Sequence, residues 1–359
     1  MRKPSVLSEE QSLATGQETQ TSLPLAQQML PLLVAMRPRE WTKNLLLFAG
    51  LIFSGHLLIV SSLLRAVLAT ISFCLVSGAI YLVNDLTDIQ RDRLHPKKRL
   101  RPLAAGTLTP AVAIAGAGIA TISALALAWV IALQPLQGKP VAVFLSGWPP
   151  QFGVSTSSHA VVGGADPYAS LGGSGLLFAA TIIVYFILQL GYSFRLKHVV
   201  LLDVFAIAAG FVIRAMAGAV AIAVPISAWL YLCTVLLALF LALNKRRQEV
   251  VTLVGGGVAH RPLLQEYTLP LLDQLITIVT AATIMAYSLY TFQSETVGDR
   301  RLMLTIPLVI YGIFRYLYLV HVRTLGGNPA EVLLRDRHIQ ATVIAWIAIV
   351  AFVLYVVPR

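Results

Sequence analysis

Three of the chain's eight aspartates fall within eight residues, in the run Asn84-Asp85-Leu86-Thr87-Asp88-Ile89-Gln90-Arg91-Asp92. On a helix, Asp85, Asp88 and Asp92 step by three and then four, which puts their carboxylates on one face where like charges repel. A cation between them relieves the repulsion. An all-oxygen cluster suits Mg2+, which takes one or two carboxylates and fills its shell with water and phosphate oxygens. Asn84 adds a neutral carbonyl, so the expected metal ligands are Asn84, Asp85, Asp88 and Asp92, and the three aspartates are expected to be catalytic. The bland alternative is a solvated helix end at a membrane surface. Directly after the run come His95-Pro96-Lys97-Lys98-Arg99-Leu100-Arg101-Pro102. The prolines argue against a helix, so this is a loop able to fold back over the acidic face. There Lys98, Arg99 and Arg101 can grip an anionic phosphate. His95 is as well suited to packing the loop as to binding a ligand.

A second basic-and-acidic stretch echoes the first: Tyr192-Ser193-Phe194-Arg195-Leu196-Lys197-His198, followed by Asp203. From Asp203, positions Ile207, Gly210 and Arg214 share one helical face, and Arg214 lies about 16 Å further along the axis. Ionised groups at that depth in a membrane usually face a bundle interior or an aqueous cavity. This face therefore lines a polar pocket, with an Asp203–Arg214 bridge between helices as the structural alternative. Arg315 is a third intramembrane charge, best explained by pairing with a carboxylate. Two more basic groups flank apolar runs: Arg37-Pro38-Arg39-Glu40-Trp41-Thr42-Lys43-Asn44 and Asn244-Lys245-Arg246-Arg247. Lys43 and Lys245 are either snorkelling cations or phosphate contacts at the pocket rim, and Trp41 reads as an interface anchor. The Leu334-Arg335-Asp336-Arg337 cluster reads as structural.

The elements that must carry these groups follow from composition. The 359 residues are 57% hydrophobic and only 12% charged, with mean hydropathy +0.78. That charge is about half the usual share of a soluble protein, which excludes an ordinary water-soluble enzyme, a disordered scaffold and a disulfide-stapled domain. Cys74 and Cys233 lie in apolar runs, as small core residues. Runs long enough to span a bilayer fall near 44–60, 63–83, 110–134, 174–193, 199–222, 228–243, 270–291, 302–322 and 339–357. This predicts an all-α, polytopic membrane protein with about nine transmembrane helices and an inward-facing polar pocket. Residues 1–29 read as a disordered cytoplasmic tail and not a signal peptide. Residues 30–359 form one transmembrane domain, with an external loop insertion at 135–173. Gly255-Gly256-Gly257 is a hinge, not a Walker loop.

With the N-terminus inside, twenty of the 27 Lys and Arg lie in inside segments, five in outside segments (Arg65 among them) and two within spans. That bias fits a multi-pass protein of the inner (cytoplasmic) membrane with a cytoplasmic active site. It also accounts for most of the net charge of +11 without nucleic acid, for which no basic stripe interleaved with aromatics exists. An oligomer finds no support.

From Met36 to the end, these residues resemble the UbiA superfamily of intramembrane transferases. The run Asn84 to Asp92 is similar to that superfamily's first motif, Asn-Asp-x-x-Asp-x-x-x-Asp, which binds Mg2+ and diphosphate. Five further stretches resemble its decaprenyl-phosphate phosphoribosyltransferase branch. They are Arg37-Pro38-x-x-Trp41-x-Lys43-Asn44, His95-Pro96-x-Lys98-Arg99-x-Arg101-Pro102, Tyr192-x-Phe194-x-Leu196-Lys197-His198, Arg214-Ala215-x-Ala217-Gly218 and Leu334-Arg335-Asp336-Arg337. The resemblance implies a UbiA-like bundle that transfers 5-phosphoribose from phosphoribosyl pyrophosphate to a polyprenyl phosphate with Mg2+, in cell envelope biosynthesis. It implies that Lys43, Lys98, Arg99 and Arg101 position anionic groups and that Asp203 is catalytic, holding a second metal or a ribose hydroxyl. Tyr192, Lys197, Arg214 and Lys245 would bind substrate. The second motif departs from aromatic prenyltransferases, which carry an acid where Ile207 stands, and the insertion at 135–173 is foreign to the branch. The alternative is an aromatic or quinone-precursor prenyltransferase using a prenyl diphosphate. A transporter with an inward anion site is a third reading, which predicts inverted repeats that the sequence does not display.

Overall fold

The computed structural model describes residues 24–95, 98–133, 173–224, 228–254, 262–293, 300–323, 332 and 335–356, and among these every regular element is helical. The α-helices are α1 (Leu25–Ala35), α2 (Phe48–Phe53), α3 (Val60–Thr87), α4 (Ile89–Arg93), α5 (Pro110–Leu133) and α6 (Gly173–Phe194). They continue with α7 (Leu202–Ala221), α8 (Ala228–Val254), α9 (Leu269–Gln293), α10 (Ile306–Val322) and α11 (Arg337–Ala351), the last followed by a π turn over Phe352–Val356. Seven helices are long and apolar enough to cross a membrane, and the protein is a multi-pass membrane bundle. Large apolar side chains such as Ile119, Ile122 and Trp129 stand outward on it, as a lipid-facing surface requires. The expected tail ends early, because α1 already begins at Leu25. The expected insertion at 135–173, apart from Gly173, and the expected hinge at Gly255–Gly257 lie outside the described residues.

Two expected spans differ. Residues 44–60 are not one spanning helix. Pro38–Leu47 winds as a 3-10 helix, α2 adds six residues, and a turn leads to α3. Arg37, whose φ of 55° is left-handed before a proline that cannot continue the backbone ladder, parts α1 from the 3-10 segment, and the run itself breaks after Phe53 at Gly55, with φ 76°. The segment is wedged between α3 and α7 by the absence of side chains there. A Cβ on Gly218 would overlap the Leu47 carbonyl, and one on Gly78 would meet Met36 Cε at 2.6 Å. The apolar run 228–243 is the start of a longer helix. α8 continues to Val254, a further 11 residues or about 16 Å, and carries Lys245, Arg246, Arg247 and Glu249 on a rigid rod instead of a loop. Arg65, expected in an outside loop, lies within α3, buried, with Nη1 3.4 Å from the Ala221 carbonyl.

Burial singles out two central helices. In the membrane windows of α3 and α7, 56% and 61% of residues are buried, against 22–28% in the other five candidate spans. α7 joins the two main cores, with Val204 packed among α8, α9 and α10 and Ala217, Val220 and Ala221 among α3, α5 and α6. The end of the chain closes on its beginning. The Tyr355 hydroxyl donates to the Ile52 carbonyl at 2.9 Å and accepts from the Leu57 N–H at 3.3 Å.

Candidate active site

The acidic run sits where α3 gives way to α4. Asp88 is the joint, with φ −100° and ψ 5°, yet its N–H bonds the Asn84 carbonyl at 3.1 Å and its own carbonyl accepts from Asp92 N–H at 2.8 Å. The helical path thus passes through the joint, and Asp85 and Asp92, both buried, face the same way. One nitrogen joins them: Arg101 Nη1 is 3.3 Å from Asp85 Oδ1 and 2.6 Å from Asp92 Oδ2. Arg37 Nη2 reaches the same Asp85 oxygen at 2.5 Å, with its guanidinium 4.5 Å from the centre of the Tyr81 ring. The cation expected between the carboxylates is here a pair of arginines. Asp88 stands apart, one-third exposed and 3.9 Å from Arg91, because the joint turns it off the shared face.

The remaining valence of this pair suits a hard cation. Asp92 Oδ1 is buried and, among the described residues, has no hydrogen-bond partner. Among the described residues no three His, Cys, Asp or Glu side chains converge as a metal cluster. Two carboxylates with an unpartnered oxygen are what a Mg2+ shared with phosphate oxygens uses. The expected ligand Asn84 is otherwise engaged, its Oδ1 accepting from Ser193 Oγ at 2.6 Å, which ties the end of α6 to the end of α3.

Basic groups ring the carboxylates unevenly. Arg101 folds back over them as expected, Arg99 is exposed on the turn Lys98–Leu100, and the Lys98 N–H donates to His95 Nδ1 at 3.2 Å, so His95 packs the loop. Lys43 is ion-paired with Glu40. Burial opposes charge on Glu40, but Lys43, Lys245 and Arg37 outweigh it and hold its carboxyl below the usual range. Lys245 in turn lies near Glu249, Tyr192, Arg246 and Lys43. Lys197 is half-buried on the turn Leu196–His198. Trp41 is no surface anchor: its indole donates to the Met36 carbonyl at 3.2 Å, and it packs beside Leu82 and Leu103.

Asp203 and Arg214 do not bridge. Asp203 is fully buried, 2.5 Å from Arg246 Nε, and accepts from the Tyr267 hydroxyl at 2.7 Å. Burial and that bond to Asp203 push the Tyr267 hydroxyl pKa well up. Arg246 continues to Glu249 and to the Tyr192 hydroxyl at 3.1 Å. Within this network Asp203 Oδ2, like Asp92 Oδ1, is buried and has no hydrogen-bond partner among the described residues. Deeper, Arg214 donates to Asn44 Oδ1 at 2.9 Å, to the Gly210 carbonyl at 3.0 Å and to the Tyr185 hydroxyl at 2.5 Å. Gly210 opens room there, since a Cβ would meet Gln189 Nε2 at 3.1 Å. Arg315 pairs with Asp336 at 2.7 Å, as expected of it. Asp336 also caps α11 by accepting from the Ile339 N–H at 2.9 Å.

The structure thus gathers Asp85, Asp92, Asn84, Arg101, Lys43, Tyr192 and Lys245 about one end of the bundle, and leaves Asp88 and Arg99 outward. Sequence reasoning passed over Arg37, Glu40, Tyr81 and Arg246. Tyr81 was within reach, one turn before Asp85 on the same face. Arg37 enters the sequence reading as an inside charge and as the head of a motif, with no role of its own, and its proline neighbour is the clue to an unusual backbone.

Three comparisons bear on this arrangement. Residues 44–148 match the model of the UbiA prenyltransferase family. A decaprenyl-phosphate phosphoribosyltransferase of Corynebacterium glutamicum is 33% identical over 90% of this chain and 86% of its own length. Its namesake from Mycolicibacterium smegmatis is 30% identical over 90% and 92%. Among solved structures, a UbiA homolog from Archaeoglobus fulgidus bound to GPP and Mg2+ shares the fold. Its TM-score is 0.60 at 18% identity, over 90% of this chain and 99% of that one.

Proposed function

Starting from a chain that belongs to the UbiA prenyltransferase family and is a membrane transferase, we propose that it transfers 5-phosphoribose from phosphoribosyl pyrophosphate to a polyprenyl phosphate. The observation that carries the reading is the buried Asp85–Asp92 pair, bridged by Arg101 with one carboxylate oxygen left open. The relatives' names support the choice of substrates. The active site opens to the cytoplasmic side of the inner membrane, where most of the basic residues gather.

Asp85 and Asp92 would hold Mg2+. When bound, Mg2+ supplies positive charge that stabilises a departing pyrophosphate. The rest falls to the chain's own residues. Arg37 and Arg101, each a little over one-quarter exposed, turn from the carboxylates to diphosphate oxygens through charge-assisted hydrogen bonds. The bond from ribose C1 to pyrophosphate oxygen breaks with its electron pair leaving on pyrophosphate. An oxygen of the acceptor phosphate forms the new bond to C1. That oxygen is anionic near neutral pH, so no proton has to be removed and no general base is needed. The lipid-facing helix surfaces leave the acceptor's tail in the bilayer while its head enters from the side of Asp85.

The test is a product assay on purified full-length protein in lipid. Radiolabelled phosphoribosyl pyrophosphate plus polyprenyl phosphate is run beside prenyl diphosphate plus 4-hydroxybenzoate. A phosphoribosylated lipid in the first arm and nothing in the second is the expected result. The reverse outcome makes the protein an aromatic prenyltransferase.

A further inference from the structure

The two arginines on Asp85 are held differently. Arg101 Nη1 sits between Asp85 and Asp92, and among the described residues no aromatic ring covers its guanidinium. Arg37 meets only Asp85 of the pair, at 2.5 Å, and its guanidinium carbon lies 4.5 Å from the centre of the Tyr81 ring. Tyr81 and Asp85 are one turn apart on α3, so ring and carboxylate stand on one face. The guanidinium rests against both. Arg214 also lies over a ring, that of Tyr185, but it is buried and bonded to three neighbours, so stacking there serves the fold. Arg37 is over one-quarter exposed, and among the described residues its side chain bonds Asp85 alone.

The backbone brings Arg37 to this place against its preference. It is left-handed, with φ 55° and ψ 63°, a conformation that a β-carbon resists and glycine adopts freely. Both of its backbone groups are engaged: its N–H donates to the Val34 carbonyl at 3.1 Å, and its carbonyl accepts from the Glu40 N–H at 2.9 Å. Met36 before it packs on Gly78, where a Cβ would meet Met36 Cε at 2.6 Å, one turn before Tyr81 on α3. A strained backbone that its surroundings hold fixed points to a side chain that function requires. With the backbone fixed, the side chain is what can move.

Guanidinium chemistry says what the ring adds. Stacking on an aromatic face holds the plane of the group and leaves its N–H edge free to bond oxygens. That edge is on Asp85 Oδ1, an oxygen it shares with Arg101. We propose that Tyr81 is the positioning residue of Arg37, its ring holding the guanidinium plane while the N–H edge passes from Asp85 to an oxygen of the substrate diphosphate. Without the ring, an edge released from Asp85 would be free to turn to water. A lysine ammonium, a strongly hydrated point charge, has no plane to lay on the ring. This role rests on the site receiving a diphosphate, which the phosphoribosyl and prenyl readings share.

The experiment titrates inorganic pyrophosphate, with Mg2+ present, into full-length protein in lipid nanodiscs and follows binding by calorimetry. The proteins are wild type, Tyr81→Phe, Tyr81→Leu, Arg37→Ala, Arg37→Lys and the double variant Tyr81→Leu with Arg37→Ala. Tyr81→Leu should weaken pyrophosphate about 3- to 10-fold, and Tyr81→Phe, which keeps the ring face, should recover most of that loss. Arg37→Lys keeps the charge without the plane and should bind at least as weakly as Tyr81→Leu. In the Arg37→Ala background, Tyr81→Leu should cost nothing further, because the two side chains act through one contact. An equal loss in both backgrounds overturns the proposal, as does a Tyr81→Phe variant as weak as Tyr81→Leu, no loss in Tyr81→Leu, or a wild type that binds no pyrophosphate. A melting curve checks that Tyr81→Leu folds, and if it does not, Tyr81→Met takes its place under the same criteria. The expected pattern of binding in a protein that makes no phosphoribosyl product would sink the reaction assignment and leave the role of Tyr81 standing.

Discussion

The bundle contains two acid–arginine clusters of similar composition and opposite character. At the end of α3, Asp85 and Asp92 meet arginines that are over one-quarter exposed, and each cluster keeps one buried carboxylate oxygen, Asp92 Oδ1 in this one and Asp203 Oδ2 in the other, with no hydrogen-bond partner among the described residues. At the start of α7, Asp203 meets an Arg246 that is as fully buried as itself, with Tyr267, Tyr192 and Glu249 completing the network. Residue types do not distinguish the two. The difference is exposure: the arginines of the first cluster reach the surface, whereas releasing Arg246 from Asp203 would strand a buried charge.

That contrast can be broken by substitution. Asp85→Asn removes the open cluster's central acceptor, and turnover should fall on the order of 10³-fold with folded protein still obtained; near-normal activity in the product assay would remove Asp85 from the chemistry. Asp203→Asn should act on stability, costing about 3 kcal/mol or more because Arg246 is left unpaired in the interior. A denaturation series in detergent measures this. If that variant folds normally yet turns over slowly, Asp203 belongs to the reaction after all. Replacing both partners, Asp203→Leu with Arg246→Met, should recover most of the lost stability.

Arg37→Ala sharpens the comparison from the other side. Turnover should fall about 10- to 100-fold and the apparent Mg2+ affinity, followed by calorimetry, should rise as a competing cation is lost. Unchanged Mg2+ affinity would mean that Arg37 does not compete for Asp85. The smallest effect is expected at Arg315–Asp336, away from both clusters. The hydrogen bond from Arg315 holds the Asp336 carboxyl below its usual range, and burial opposes it only in part. The unfolded chain therefore takes up this proton at higher pH than the folded one. The stabilisation is fully present above the ordinary aspartate pKa of about 3.9 and is lost as pH falls through the lower folded value. Asp336→Asn should lower the melting midpoint at neutral pH, with the gap to wild type closing in acid; a gap independent of pH would assign the effect to the α11 cap alone.

Much of this was legible from residue order. Apolar runs located the spans because lipid leaves a helix few alternatives. The spacing of Asp85 and Asp92 placed them together, and the prolines around Lys98 predicted a loop whose Arg101 returns. Three features were not. The joint at Asp88 depends on one residue's backbone angles, which helical periodicity cannot register. The partner of Asp203 is Arg246, on another helix, a tertiary fact with no local signature. The first span is broken at the turn after Phe53, where Gly55 has a φ of 76°, and hydropathy is blind to φ.

The bond between Tyr355 and Ile52 has a consequence for biogenesis. It joins segments 303 residues apart, so the strand of chain that emerges first from the ribosome acquires its last tertiary partner only after the final helix has been inserted. The wedge carrying Arg37 and Lys43 hangs from that same strand. Long-range closure of this kind is slow. Closure of the bundle at this point therefore waits on the last helix, whose Tyr355 supplies the contact to Ile52.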